Sequence, residues 1–318
     1  MAFPGILTWA EFATGLITRG IKINGNYLLV NDCNINQTQQ IETLDNLVQG
    51  GPGNSVSNLG AKKISGSISF PVRIDDQGNF EPAFLALANH AQNPVSGIYM
   101  DTNHILSHLS ITAEDIATDN NQLLRIDSLI ISSFKISCAQ GSDVQCEISF
   151  EGMIDTEFNS DYAVPNPDSV IGRALSWADC NIFREESSMR TTTSFDINIT
   201  NTIQSPVFLI PYQTIESGIA STRSDQIQLL GFTSVKWSGS VKELIRSGAD
   251  LNTFIHGGWM INENLTVQIG TMTAKFVNPL FQIANLPLTS SVLTRTTSWN
   301  ALVAPNTPLY PNGLITFA

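Results

Sequence analysis

Two stretches of the chain alternate apolar and polar residues around a central Ser-Gly-Ser. In residues 60–73, GAKKISGSISFPVR, Ile64, Gly66 and Ile68 share one face, and Ser65, Ser67 and Ser69 share the other. In residues 231–246, GFTSVKWSGSVKELIR, Trp237, Gly239 and Val241 stand against Lys236, Ser238 and Ser240. Strict alternation marks a strand with one buried face in an antiparallel sheet. The shared centre predicts that Gly66 and Gly239 occupy like places in a duplicated unit. Two further echoes extend the repeat. Asp32-Cys33-Asn34-Ile35 returns as Asp179-Cys180-Asn181-Ile182, and 144–150, VQCEISF, answers to 293–299, LTRTTSW.

Other segments fill in the unit. In FEPAFLALANHA, Phe80, Ala83, Phe84, Leu87, Ala88 and Ala91 recur at helical spacing, which predicts an amphipathic helix with Asp75, Asp76 and Asn79 as the turn and cap before it. A shorter counterpart begins at Asp250, continues through Leu251, Phe254 and Ile255, and stops at Gly257-Gly258. Strands are predicted over 20–35, 123–138 and 144–152. In the last, Val144, Cys146, Ile148 and Phe150 oppose Gln145, Glu147, Ser149 and Glu151. The polar run QTQQIETLDNLVQGGPGNSVSNLG has no periodicity and reads as a long loop. The expected fold is mainly β with α, a β-sandwich or partial barrel plus one helix per domain. The expected domains are 19–155 and 173–303, with an N-terminal arm 1–18, a proline-bearing linker 156–172 and a C-terminal arm 304–318, whose prolines restrict it to an extended arm or an edge strand.

Composition narrows the function. The 318 residues are 42% hydrophobic but only 14% charged, against about 25% in an ordinary soluble domain, which suits a chain that hides surface against neighbours. Net charge is −12, and residues 1–160 hold 7 Lys/Arg against 17 Asp/Glu. Binding to nucleic-acid phosphates needs basic clusters, and the chain has none. No apolar run approaches the ~20 residues of a membrane helix, and the first residues have neither the basic start nor the cleavage site of a signal peptide. Cys33 and Cys180 fall at echoed positions and read as buried small residues. Cys138 and Cys146 flank a turn that would let them pair in a disulfide across a hairpin, but with nothing to place the chain in an oxidising compartment free thiols are the favoured expectation.

Candidate chemistry is thin. His104 and His108 would share a helical face, but Ile-Leu-Ser lies between them with no general-base Glu, and a loop or strand edge is the plainer reading. His90 and His256 sit at helix ends, where the dipole accounts for them. Asp75-Asp76-Gln77-Gly78-Asn79 lacks the alternating acids of a calcium loop and reads as a turn. Glu147 and Glu151 resemble a glycosidase pair only in type, since four residues of strand separate them by about 13 Å. No P-loop, G-x-S-x-G or G-x-G-x-x-G occurs. The expectation is no catalytic residue, no cofactor and no metal.

The order of elements, with Gly50-Gly51-Pro52-Gly53 shortly before the strand ISGSISFPVR and the helix at 79–91, resembles the tail tube proteins of bacteriophages, whose fold recurs in the inner tubes of contractile injection systems. The likeness covers roughly 20–155 and implies two tandem tube-like domains. It implies a structural virion protein, assembled in the bacterial host cytoplasm, that stacks in rings to form a conduit for genome ejection. By counting, two such domains per chain give a trimeric, pseudo-hexameric ring. Its partners would be itself, the tail sheath, the baseplate and the terminator, with DNA passing an acidic lumen without specific binding. Glu147 and Glu151 are the candidate lumen-facing residues. Gly50, Gly51, Pro52 and Gly53, with the rest of 36–59 and both arms, are the candidate inter-ring contacts. The competing readings are another tail component (baseplate hub, terminator or tube-completion protein) and a carbohydrate-binding β-sandwich, which would expose aromatic platforms.

Overall fold

The computed structural model describes residues 18–23, 26–44, 56–92, 109–115, 123–152, 172–209, 227–246, 264–277, 279–284, 294–301 and 313–317. The first half comprises β1 (Thr18–Ile23), β2 (Asn26–Leu28), β3 (Asp32–Leu44), β4 (Val56–Pro71), β5 (Arg73–Ile74), α1 (Pro82–Gln92), β6 (Leu109–Asp115), β7 (Leu123–Ala139) and β8 (Gln145–Gly152). The second comprises β9 (Arg173–Ala174), β10 (Cys180–Arg184), β11 (Ser187–Ser188), β12 (Thr192–Leu209), β13 (Ile227–Leu244), β14 (Leu265–Ile269), β15 (Met272–Phe276), β16 (Leu280–Ala284), β17 (Thr294–Ala301) and β18 (Gly313–Phe317). The fold is mainly β with one described helix, as the alternation and the 80–91 periodicity predict. The shorter helix expected after Asp250 lies outside the described residues.

An eleven-stranded antiparallel sheet contains the path β3-β4-β8-β7-β12-β13-β17-β16, and β6, β1 and β2 continue from β7. The pairings of the first half recur in order in the second. The contacts β1·β2, β1·β6, β6·β7, β7·β8, β4·β8 and β3·β4 answer to β10·β11, β10·β14, β14·β15, β16·β17, β13·β17 and β12·β13. One strand of the first half corresponds to two of the second. β7 pairs with β6 through its first residues and with β8 through its later ones, whereas β15 and β16 divide those roles between two sheets. Pro279 stands at the division, and a proline cannot donate to a ladder.

Register matches as well. Gly66 lies opposite Ile35 and Phe150, and Gly239 opposite Ile197 and Trp299. A Cβ on Gly66 would collide with the Asn34 carbonyl and the Phe150 ring, and one on Gly239 with the Asp196 carbonyl and the Trp299 ring. Each glycine thus leaves room for an aromatic ring folded over it from the next strand, which covers backbone that glycine would leave bare. The Asp-Cys-Asn-Ile echo, by contrast, is incidental. Asp32 opens β3 against β4, whereas Cys180 opens β10 against β14. The signal that stands in register is Ile35-Asn36-Gln37-Thr38 against Ile197-Asn198-Ile199-Thr200.

The polar run after Ile35 is not a loop throughout. β3 continues to Leu44 and β4 begins at Val56, so most of it forms a long hairpin. Apart from Ile41, Leu44, Val56 and Leu59 its strand residues are polar or small, and a strand without an apolar face offers no period of two to read. Gly50, Gly51, Pro52 and Gly53 fall in 45–55, outside the described residues, between the ends of that hairpin.

The apolar face of the sheet carries the core, which forms one cluster across both halves. Phe80, Ala83, Phe84, Leu87, Ala88 and Ala91 of the helical segment are all buried. Phe84 lies 6.2 Å from Phe134 and 6.3 Å from Phe70. Over the second half, the five-stranded sheet β11-β10-β14-β15-β18 takes the covering role. Phe276 of β15 packs 4.2 Å from Trp299 and 5.7 Å from Trp237, each tryptophan 1% exposed. Such ring pairs add about 0.5–1.5 kcal/mol each beyond their burial.

The halves are locked together at α1. Asn201 of β12, 3% exposed, donates through Nδ2 to the Ala91 and Ile131 carbonyls, so a residue of the second half caps the helix of the first. Over 313–317 the C-terminal segment is an edge strand, one of the two forms its prolines allow. β18 pairs with β15, Phe317 packs 5.5 Å from Phe80 and 6.0 Å from Phe84, and Ile315 N–H donates to Gln92 Oε1. Alternation of Ile315 and Phe317 toward the helix explains the recruitment.

Glu81, just before α1, is 8% exposed, and neither carboxylate oxygen has a hydrogen-bond partner. Burial pushes its pKa up to about 7, with Arg73 pulling it partly back. The folded protein therefore holds this proton more tightly than the unfolded chain. The stabilisation is complete below the ordinary glutamate value of 4.5 and is lost as pH rises through about 7. Thermal melts between pH 4.5 and 8 should show this loss, and Glu81→Gln should flatten it and raise the melting temperature at pH 8. An unchanged pH profile in the variant would assign the dependence to other groups.

Candidate assembly surface

The polar face of the large sheet is the counterpart of the buried one. Ser67, Glu147 and Ser149 are exposed on it in the first half, and Lys236 and Lys242 in the second. Both covering elements, α1 and the five-stranded sheet, pack on the opposite face through the aromatic contacts above. Glu147 and Glu151 lie together on the polar face of β8, as parity predicts, against Ser69 and Ser65 of β4. Glu147 pairs with Lys135 at 3.4 Å, with side chains 56% and 40% exposed, so the pair is worth a fraction of a kcal/mol. The described charges on this face are Asp32, Glu147, Glu151 and Lys135 in the first half, and Asp196, Lys236 and Lys242 in the second. The acid is concentrated in the first half.

The two halves meet in this sheet through β7 and β12, in a register running from Ser194 opposite Ala139 to Thr200 opposite Ser133. One polar side-chain pair crosses the seam, and two more lie beside it, within β12 and between β12 and β13. Ser133 Oγ donates to Asn198 Oδ1 at 3.1 Å, Asn198 Nδ2 donates to Thr200 Oγ1 at 3.2 Å, and Ser240 Oγ donates to Asp196 Oδ1 at 2.7 Å. At the ends of the path, β3 has β4 as its strand partner and β16 has β17. Open edges are templates for pairing with another chain. Val277 and Leu280, beside and at the start of β16, are each 40% exposed.

At one place the second half departs from the first. Where Phe70 lies opposite Cys146, both buried, the corresponding register in the second half sets Glu243 opposite Arg295. Arg295 Nε reaches Glu243 Oε2 at 2.8 Å, with side chains 13% and 7% exposed. A cavity of about 630 Å³ opens beside the pair, lined also by Arg184, Met189, Arg190 and Leu244.

Residues 13–279 match the family model described as phage tail tube protein. The chain belongs to the phage tail tube protein family. No curated protein matches it. The tail tube protein is therefore a structural component of the virion tail, assembles with itself into a tube and is not an enzyme. No described helix is long and apolar enough to cross a membrane.

Other sequence expectations for the tail tube protein resolve individually. Asp75-Asn79 is a turn: Asp75 Oδ1 accepts the Gln77 and Asn79 N–H groups at 2.9 and 2.8 Å, and Gly78 takes φ 88°. These hydrogen bonds, led by that from the Asn79 side chain, hold the Asp75 carboxyl below its usual range. Trp237 and Trp299 are core residues, and Trp177 rests 6.1 Å from Phe195, so none is an exposed platform for sugar. His104, His108, His256, Trp9 and Trp259 lie outside the described residues, as do arm residues 1–17 and linker residues 153–171. All four cysteines are free. The β7–β12 seam has no sequence signature, because backbone pairing between edges leaves none beyond polar alternation.

Proposed function

We propose that this tail tube protein is a tandem repeat of a tube-like unit and that three copies close into a ring with pseudo-sixfold geometry. The observation that carries the reading is the β7–β12 seam. It joins two units of matching pairing within one chain and leaves β3 and β16, the counterparts of β12 and β7, at the ends of the sheet. The same joint repeated between chains sets β16 of one protomer against β3 of the next. Three chains then supply six units and close a barrel without edges.

The repeat also dictates a register. Within the chain Asn198 lies opposite Lys135 and Ile199 opposite Phe134. Asn36 and Gln37 correspond to Asn198 and Ile199 through their pairing with β4 and β13. Ala284 and Ile283 correspond to Lys135 and Phe134 through β17 and β8. Between chains, Ala284 thus faces Asn36 and Ile283 faces Gln37.

In this arrangement the uncovered polar face lines the bore, and Glu147 and Glu151 project toward passing DNA. Carboxylates repel phosphates, which keeps a genome from adhering as it slides, and the lysines of the second half make the bore alternate in charge around its axis. Gly50, Gly51, Pro52 and Gly53, which lie between β3 and β4 in the chain, supply contacts to the next ring.

The test combines a cross-link with an image. Assembled Asn36→Cys/Ala284→Cys protein, treated with a short bis-maleimide, should run on a denaturing gel as covalent species of two and then three chains. Either single variant should remain at the parent pattern. Averaged end views should resolve three chains per ring. Rings of three chains without the cross-link would overturn the register alone. Rings of six chains, with one half away from the bore, would overturn the trimer.

A further inference from the structure

Cys138, near the end of β7, and Cys180, at the start of β10, come from different halves and are brought side by side, close enough for each thiol to shift the other's ionisation. The backbone holds them in place. Asp143 forms a bridge with Ser176, and Trp177 N–H donates to the Ser142 carbonyl at 3.1 Å. Each sulfur rests on one side of this clamp, Cys138 Sγ 3.5 Å from the Ser142 carbonyl and Cys180 Sγ 3.4 Å from that of Ser176. Val144 N–H donates to the Leu175 carbonyl at 2.8 Å and continues the contact. The other two thiols are placed differently: Cys146 is buried within β8 and Cys33 lies half-buried on β3.

We propose that Cys138 and Cys180 are a redox-sensitive pair, which a two-electron oxidant of the peroxide class converts to a disulfide that staples β7 of the first half to β10 of the second. The Cys138 thiolate attacks one peroxide oxygen and becomes a sulfenic acid, and the departing hydroxide takes up a proton to leave as water. The Cys180 sulfur then attacks the Cys138 sulfur, loses its own proton, and displaces the second hydroxide as water. Two thiols and one peroxide give one disulfide and two waters. The roles follow from the surroundings. The neighbouring Cys180 thiol, with the Ser142 and Ala139 groups beside the Cys138 sulfur, holds the Cys138 thiol below its usual value against the opposing effect of burial. Burial pushes Cys33 up to about 11 and Cys146 well above its ordinary range, so neither is the first attacker; Cys180 is pushed up as well, by the neighbouring Cys138 and then by burial, and it acts second, giving up its proton only as its sulfur meets the sulfenic acid beside it. A virion leaves the reducing interior of a cell for oxidising surroundings, where such a staple forms without an enzyme. The staple is independent of ring stoichiometry, since both sulfurs belong to one chain.

Purified protein exposed to hydrogen peroxide should lose two hydrogens, and digestion without reductant should yield one linked peptide joining Cys138 to Cys180. Closing a loop of roughly 40 residues should raise the melting temperature by about 5 °C, reversibly with dithiothreitol. Cys180→Ser and Cys138→Ala should each abolish the shift, and Cys33→Ser should retain it. Oxidation to sulfinic acid without a link, a disulfide through Cys33 or Cys146, or unchanged mass would overturn the proposal.

Discussion

Gly239→Val should destabilise the protein by about 3 kcal/mol or more, enough to remove most folded material from a soluble preparation. The place a Cβ would take is already occupied by the Asp196 carbonyl on one side and the Trp299 ring on the other. The ring is 1% exposed and packs on Phe276 at 4.2 Å, so it has no room to retreat. The carbonyl belongs to a strand bonded on both sides, and moving it disturbs the β12–β13 ladder. Overpacking of this kind ordinarily costs 1–3 kcal/mol, and loss of ladder geometry adds to it. Gly66→Val should behave alike, against Asn34 and Phe150. Denaturant titration of Gly239→Ala, the milder change, provides the measurement where valine does not fold. A midpoint within error of the parent would show that the ring does not depend on a bare glycine.

Arg295→Cys should cost about 3–5 kcal/mol, because it leaves the Glu243 carboxylate without its guanidinium partner in a site where that side chain is 7% exposed. Thr191 Oγ1, at 3.4 Å from Glu243 Oε1, is too weak a donor to replace it. Glu243→Phe/Arg295→Cys should recover most of the loss, since it installs the residues that the first half carries at the same register, Phe70 and Cys146. An apolar pair avoids the desolvation that a buried ion pair must offset, and the new ring takes up part of the adjoining cavity of about 630 Å³. The double-mutant cycle measured by denaturant titration should give a coupling of at least about 2 kcal/mol. Additive losses would mean that the two halves are not interchangeable here despite their common pairing.

Legibility in the sequence followed burial. Where one face of a strand is covered, as at Ile68 and Phe70 or Trp237 and Val241, the alternation is strict and the strand is read correctly. The helix was equally plain, since Ala83, Phe84, Leu87, Ala88 and Ala91 are all buried, as is Phe80 just before it. In the outer part of the β3–β4 hairpin few residues are apolar, so no period shows and strand looks like loop. The Asp-Cys-Asn-Ile echo misled for a related reason: four residues alike in letters carry no geometric requirement, and they open strands with different partners. Ile35-Asn36 and Ile197-Asn198 were the better landmark, because each isoleucine must face a glycine whose other neighbour is an aromatic ring.

The candidate surface divides in the same way. Parity alone placed Glu147 and Glu151 on the face opposite Phe150, because side chains on a strand alternate regardless of what surrounds them. Their surroundings were not legible. Which edge meets which depends on backbone hydrogen bonds that every residue but proline offers alike, so the β7–β12 seam, the recruitment of β18 onto α1, and the backbone clamp of Ser142 and Asp143 with Ser176 and Trp177 beside Cys138 and Cys180 emerged only in three dimensions. The sequence by itself determined strand identity, helix, core face and low charge, all consequences of local pattern and composition. The tertiary structure decided the order of strands, the shared core of the two halves and the open edges, because those rest on contacts between residues far apart in the chain.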